Sequence, residues 1–290
     1  MLSRPMIDRI AFLGISWYAI LIVSAILIGL VYCRHEAHRL DIPQDTMIDF
    51  FLYAIPLAIV FARIYYVVFR FNMYSEDLMS IFNIRQGGLA IYGGIIGGLI
   101  AARITASKHD VPMLTLLDIV APALVLGQGI GRWGNYINME AFGAETDWFL
   151  RMGLLNTSTG EVEYHHPTIL YESVWNLIGF VILHFASKKR KYDGQIALGY
   201  VAWYGFGRTV IEALRTDSLY WGQFRVSQLL AAVSCLAAAI VLTIQYFKPH
   251  DKENLFVNRV AAAAAAEVTE EIAEEPAEEA AEETAEATEE

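Results

Sequence analysis

Seven stretches of about 20 mostly apolar residues run through the first 250 positions of this chain. They lie at roughly 15–33, 47–69, 88–106, 113–131, 168–187, 195–214 and 226–247. In lipid every backbone N–H and C=O must be satisfied within its own segment, so runs of this length form helices. The pattern predicts an all-α polytopic membrane protein with about seven transmembrane helices. The first run has no small-residue cleavage site behind it and continues to Cys33, so it reads as a retained helix and not a signal peptide. Cys33 and Cys235, the two cysteines, both lie inside apolar runs and read as buried thiols.

Charge divides the chain in two. The net charge of -11 argues against nucleic acid as a partner and, taken as an average, against anionic lipid. Residues 251–290, however, hold 14 Asp/Glu against Lys252 and Arg259, whereas residues 1–250 hold 18 Asp/Glu and 19 Lys/Arg. The acidity therefore belongs to an Ala/Glu-rich tail, expected to be disordered or frayed helix because it has little apolar surface to offset its ordering entropy. The expected organisation is an integral membrane domain over 1–250, with a small extracytoplasmic cap at about 132–167, followed by the tail over 251–290. An odd number of helices puts the termini on opposite sides. With the N-terminus outside, the inner segments hold 11 basic residues, among them the run Lys188, Lys189, Arg190 and Lys191, against 8 spread over the longer outer segments. The bias of Lys and Arg toward the cytoplasm favours this orientation, with the C-terminus inside.

Charged groups inside spans are costly and mark sites or structural partners. Arg63 and Asp118 read as structural ion partners. In the sixth span Tyr204, Arg208, Glu212 and Arg215 follow at spacings of four, four and three, which places them on one helix face. Such a stripe either faces an interior cavity or is a structural ion-pair ladder. The third span opens with Gln86, Gly87 and Gly88, a pair of glycines that suggests broken backbone lining a cavity, with Tyr92 near the opening. Glycines four apart, Gly93/Gly97 and Gly94/Gly98, allow close helix approach. The segment 130–143 (IGRWGNYINMEAFG) interleaves Arg132, Asn135, Asn138 and Glu140 with glycines. An arginine there offers a planar fork of donors suited to a phosphate. In HHPTILYE, Pro167–Thr168 is a natural helix start. Tyr171 and Glu172 fall in the first turn as entrance and capping residues, and His165 is expected to be exposed. The sequence contains no P-loop, dinucleotide fingerprint, HExxH helix, nucleophile elbow or Cys/His metal spacing, so neither cofactor nor metal is expected.

The string GRWGNYINMEAFG resembles the signature of the prolipoprotein diacylglyceryl transferase family of bacterial cytoplasmic membranes. The likeness extends, in the family's order, to SWY at 16–18, QGGLAIYGGIIGG at 86–98, HPTILYE at 166–172 and YGFGRTVIEALR at 204–215. The resemblance implies a seven-helix enzyme acting in the inner membrane. Such an enzyme moves the diacylglyceryl group of phosphatidylglycerol onto the lipobox cysteine of a preprolipoprotein signal peptide, forming a thioether and releasing glycerol 1-phosphate. It needs no cofactor. By the same resemblance Arg132 and Arg208 correspond to the family's two important arginines. Asn135 and Glu140 match its signature polar residues, and Tyr18, Tyr204, Glu212 and Arg215 match further site positions. Many members carry His where this chain has Tyr92, and that His is proposed as the base. A phenol with a pKa near 10 is a poor base at neutral pH. Either Tyr92 orients lipid or thiol, or the base lies elsewhere.

The chemistry of the residues agrees with that reaction. A thiol with pKa near 8.5 must ionise before it attacks carbon, and a nearby cation favours the thiolate. The departing phosphate gains negative charge, which guanidinium groups in a water-poor site stabilise most in the transition state. Arg132 and Arg208 are assigned to the phosphate, with Glu212 and Arg215 holding Arg208. Asn135, Asn138 and Glu140 are assigned to the glycerol headgroup or the cap backbone. The alternative is a secondary transporter for an anionic solute with Arg63, Arg132 and Arg208 as clamps; transporters often pair broken helices in two halves, and only 86–98 is such a segment here.

Overall fold

A computed structural model of the chain describes residues 2–3, 10–12, 14–84, 87–156, 159–216 and 220–266. Gln86 and the acidic tail beyond residue 266 lie outside the described residues. The chain is mostly helical. Its long helices are α1 (Trp17–Arg39), α2 (Gln44–Phe69), α3 (Ile91–Lys108), α4 (Met113–Asn138), α5 (Thr168–Ser187), α6 (Gln195–Glu212) and α7 (Val226–Phe247). Five of them, α1, α2, α4, α5 and α7, are long and apolar enough to cross a membrane. The other two have 18 residues each. Four glycines and a basic end dilute α3, and Arg208 and Glu212 interrupt α6.

Small β elements qualify the all-α expectation. Strands β1 (Leu2–Ser3), β4 (Met152–Asn156) and β5 (Val162–His165) form an antiparallel sheet in the order β1-β4-β5. Two further ribbons join β2 (Ile10–Phe12) to β3 (Ile15–Ser16) and β6 (Tyr220–Trp221) to β7 (Phe224–Arg225). The cap also begins later than expected. Arg132 to Asn138 continue α4, which stops only where Met139 takes the left-handed conformation at φ 59°.

Helix α4 packs against α1, α5 and α6, and more than half of its most apolar window is enclosed, against 6% for α7. A core of Cys33, Met47, Phe50, Ala101, Leu116 and Ile119 joins α1 to α4. Between α2 and α3 the fit is tighter still. A Cβ on Gly93 or Gly97 would meet the Phe61 or Leu57 carbonyl at 2.2 and 2.4 Å, while Gly94 and Gly98 have room. Close approach thus uses one glycine pair of the two.

Arg63 and Asp118, expected as ion partners, bind backbone instead. Arg63 donates to the carbonyls of Ser80, Ile81, Gly87 and Gly88 at 2.7–3.0 Å and lies 5.0 Å over the Tyr74 ring. It thereby shapes the irregular segment that leads into α3. Asp118 accepts from the N–H groups of Gly194, Ile196 and Ala197 at 2.8–2.9 Å, capping α6 from a neighbouring helix.

The connections sort the chemistry by end of the bundle. One end gathers the short links after α1, α3 and α5, the basic run 188–191, and the C-terminus of α7. A short helix, α8 (Phe256–Ala266), follows there. Leu255 is buried, Phe256 and Val257 pack on the α1–α4 core, and the Phe256 N–H donates to Asp193 Oδ2 at 3.0 Å. The segment assigned by composition to the tail therefore begins with a docked piece. The opposite end carries the C-termini of α4 and α6, the start of α5 and the cap.

Candidate active site

Three arginines and two glutamates meet at that second end. Glu172, on the first turns of α5, receives Arg132 Nη2 from α4 at 2.5 Å, Arg208 Nη1 from α6 at 3.0 Å and Arg215 Nη1 at 3.3 Å. Glu212 receives Arg208 Nη2 at 2.6 Å and lies 3.8 Å from Arg215 Nε. Arg208 and Glu212 share a face of α6 as expected; Arg215, expected on the same helix face, lies past the helix end and still joins them, and their partner from another helix is Glu172. That residue is the hub of the network; the capping role expected of it is corrected. Both carboxylates are almost fully buried, at 5% and 2% side-chain exposure, while Arg132 and Arg208 keep 19% and 16%. Three guanidinium groups against two carboxylates leave one net positive charge, and Arg132 and Arg208 are the more accessible of the cations. Such an arrangement suits a singly charged phosphodiester.

The signature residues extend the network. Arg132 Nη1 donates to Asn135 Oδ1 at 3.3 Å, and the Asn135 and Asn138 amides donate to Glu140 Oε1 at 2.8 and 3.4 Å. Tyr18 joins by packing: a Cβ on Gly134 would meet its ring at 2.5 Å, so only glycine leaves room for that phenol against α4. Tyr204 stacks on Tyr200, whose hydroxyl accepts from Gln128 Nε2 at 2.8 Å. Tyr92 stands on α3 with its ring 6.1 Å from that of Tyr65, and among the described residues nothing joins it to the network. A cleft of about 390 Å³ opens at the same end among Trp133 and Tyr136 of α4, Leu170 of α5 and Phe149 and Arg151 of the cap.

The cap is tied to the network through backbone. Gly143 bridges Arg215, Thr168 Oγ1 donates to the Ala141 carbonyl at 2.6 Å, and Gly143 N–H donates to the His166 carbonyl at 2.9 Å. His165, expected to be exposed, is buried at 6% beneath this loop.

Between α5 and α6 a tryptophan pair sets the distance from Glu172 to Arg208. Trp175 and Trp203 stack at 4.1 Å, and each indole N–H donates to the other residue's carbonyl at 3.1 Å. Each ring lies over the other helix's glycine, Gly207 under Trp175 and Gly179 under Trp203. The sequence carries a signal for this that the polar motifs overshadowed: Trp followed four residues later by Gly, once on each helix.

The sequence matches the family described as prolipoprotein diacylglyceryl transferase over residues 5–244. Three relatives share the name phosphatidylglycerol–prolipoprotein diacylglyceryl transferase. One from Listeria monocytogenes serotype 4a is 40% identical over 261 residues, 87% of this chain and 94% of its own. A Bacillus cereus relative is 42% identical over 252 residues, covering 83% and 93%, and one from Enterococcus faecalis is 42% identical over 266 residues, covering 87% and 95%. The signature string, the arginine–glutamate network and these matches converge: the chain belongs to the prolipoprotein diacylglyceryl transferase family.

Proposed function

We propose that this chain transfers the diacylglyceryl group of phosphatidylglycerol to the cysteine thiol of a preprolipoprotein signal peptide, the first step of lipoprotein maturation. The observation that carries the residue roles is the net positive Arg132–Glu172–Arg208–Glu212–Arg215 cluster, with Arg132 and Arg208 its more accessible cations. All seven long helices act as spans. The N-terminus and cap face outward, and the basic run 188–191 and C-terminus face the cytoplasm.

In the mechanism the lipid phosphate sits against Arg132 and Arg208. Glu172, Glu212 and Arg215 fix the two forks so that no reorganisation is needed as charge grows. The substrate thiol ionises before attack, its proton passing to water, because the excess positive charge favours the thiolate. Sulfur then attacks the glyceryl carbon that bears the phosphate. The C–S bond forms, the C–O bond breaks, and the electron pair leaves on glycerol 1-phosphate. Asn135, Asn138 and Glu140 hold the headgroup edge of the site, and Tyr18 and Tyr204 line it. Tyr92 orients lipid or thiol through its hydroxyl.

The test incubates purified protein with phosphatidylglycerol and a lipobox peptide. A diacylglyceryl mass gain on the peptide cysteine, with release of glycerol 1-phosphate, is expected. No mass gain beside an active control would overturn the proposal.

A further inference from the structure

Outside the arginine network, the cap brings together Glu145, Glu163 and His165, whose ligand atoms all lie within 4.8 Å of one another. Local structure explains the meeting. Glu163 and His165 are two apart on β5 and so point to the same side of the strand. Glu145 faces His165 through an isolated antiparallel bridge.

The histidine is prepared for a ligand. Its Nδ1 lies 3.0 Å from the Gly143 carbonyl, which can only accept, so Nδ1 carries a proton and Nε2 is the nitrogen that, in the neutral ring, holds the lone pair. Nε2 is buried and has no hydrogen-bond partner; Glu163 Oε2 is 3.5 Å away. A carbonyl fixing the far nitrogen of a histidine is the usual outer support of a metal ligand. Glu163 is supported similarly. Asn156 Nδ2 donates to its Oε1, which leaves Oε2 turned to the histidine. Glu145 is exposed and Glu163 half-buried, so one side stays open to water.

We propose that Glu145, Glu163 and His165 form a binding site for a first-row divalent cation of the zinc class. One imidazole nitrogen and two carboxylate oxygens are a zinc-type donor set, water fills the open position, and the two carboxylates neutralise the ion. Tetrahedral bonds of about 2.0–2.1 Å place ligand atoms roughly 3.4 Å apart, and the exposed Glu145 side chain is free to close the gap from the present separations of up to 4.8 Å. The bound ion fastens the 141–145 loop to β5, just ahead of the helix that carries Glu172. Its role is bracing; no step of the transfer runs through it.

The experiment uses full-length, tag-free protein in detergent, treated with EDTA and dialysed, then titrated with ZnCl₂ by calorimetry and followed by thermal unfolding. Saturable binding of one zinc per chain with a rise in Tm is expected, and Glu145→Gln and Glu163→Gln should each weaken it at least about tenfold. Glu145 is exposed, so its variant should fold even where changes at the half-buried Glu163 do not. Absence of saturable binding, or unchanged affinity in a folded Glu145→Gln variant, overturns the site.

Discussion

One carboxylate facing three guanidinium groups cannot lose its charge without leaving buried cations unbalanced. Glu172→Gln keeps the shape and removes the charge, so the cluster rises from one excess positive charge to two. Breaking a buried pair in this way costs about 3–5 kcal/mol. A lower Tm and a turnover reduced at least about a hundredfold are expected in the same variant; normal values for both would remove Glu172 from the centre of the site. Arg208→Lys separates geometry from charge. The Arg208 fork spans Glu172 and Glu212 with its two terminal nitrogens, 3.0 and 2.6 Å from their oxygens. A lysine supplies one point charge and cannot bridge both. Loss of that preorganised fork should lower kcat/KM by about 10²-fold, measured with phosphatidylglycerol and a lipobox peptide. Near-normal kcat/KM would show that the bidentate fork plays no part.

Helix packing decides whether these residues meet at all, and the α5–α6 contact is the one on which Glu172 and Arg208 depend. A side chain at Gly179 would strike the Trp203 indole at 2.3 Å, and one at Gly207 would strike Trp175 at 2.1 Å. Gly179→Val should therefore push the tryptophans out of register and destabilise the protein by about 1–3 kcal/mol, the usual cost of overpacking. Thermal unfolding measures it, and activity should fall in parallel because Glu172 moves with α5. An unchanged Tm would mean that the stack is not what spaces the two helices. This contact also marks where the sequence was legible and where it was not. Apolar length located the five lipid-length helices, since such runs have few alternatives, and also the positions of the less apolar α3 and α6. The spacing of Arg208 and Glu212 located one face of the candidate site, because helical periodicity is local; Arg215 reaches it from beyond the helix end. Glu172 was misread as a capping residue, for its three partners lie on two other helices and at the cap, and no periodicity within one helix records contacts between helices. Asp118 was misread for the same reason: its partners are N–H groups of α6, more than seventy residues away. His165 looked solvent-facing because the loop that covers it comes from residues 141–145, which only the folded cap brings overhead.

Across the whole molecule the two ends have separate duties. The arginine network occupies one end; the basic run 188–191 and the docked α8 occupy the other, a helix length of about 30 Å away. The proposed orientation follows from that polarity. Replacing Cys33 and Cys235 by Ala and placing one new cysteine at the exposed Asp147 or Lys189 tests it. A membrane-impermeant thiol reagent added to intact cells should label the first and spare the second, and the reverse result would invert the topology. The same separation predicts how truncations behave. Removal of everything after Ala266 takes away only acidic tail and should leave both Tm and kcat unchanged. Removal of everything after Phe247 also strips Phe256 and Val257 from the α1–α4 core, the buried Leu255 from its site, and the His250 ring from its stack on Tyr192. Losing that apolar burial should lower stability by roughly 2–4 kcal/mol. Because none of these groups lies near Glu172, kcat measured below the unfolding transition should hold while Tm drops. If kcat fell with the shorter truncation in correctly inserted protein, the two ends would be coupled, and the acidic tail would act on the transfer itself.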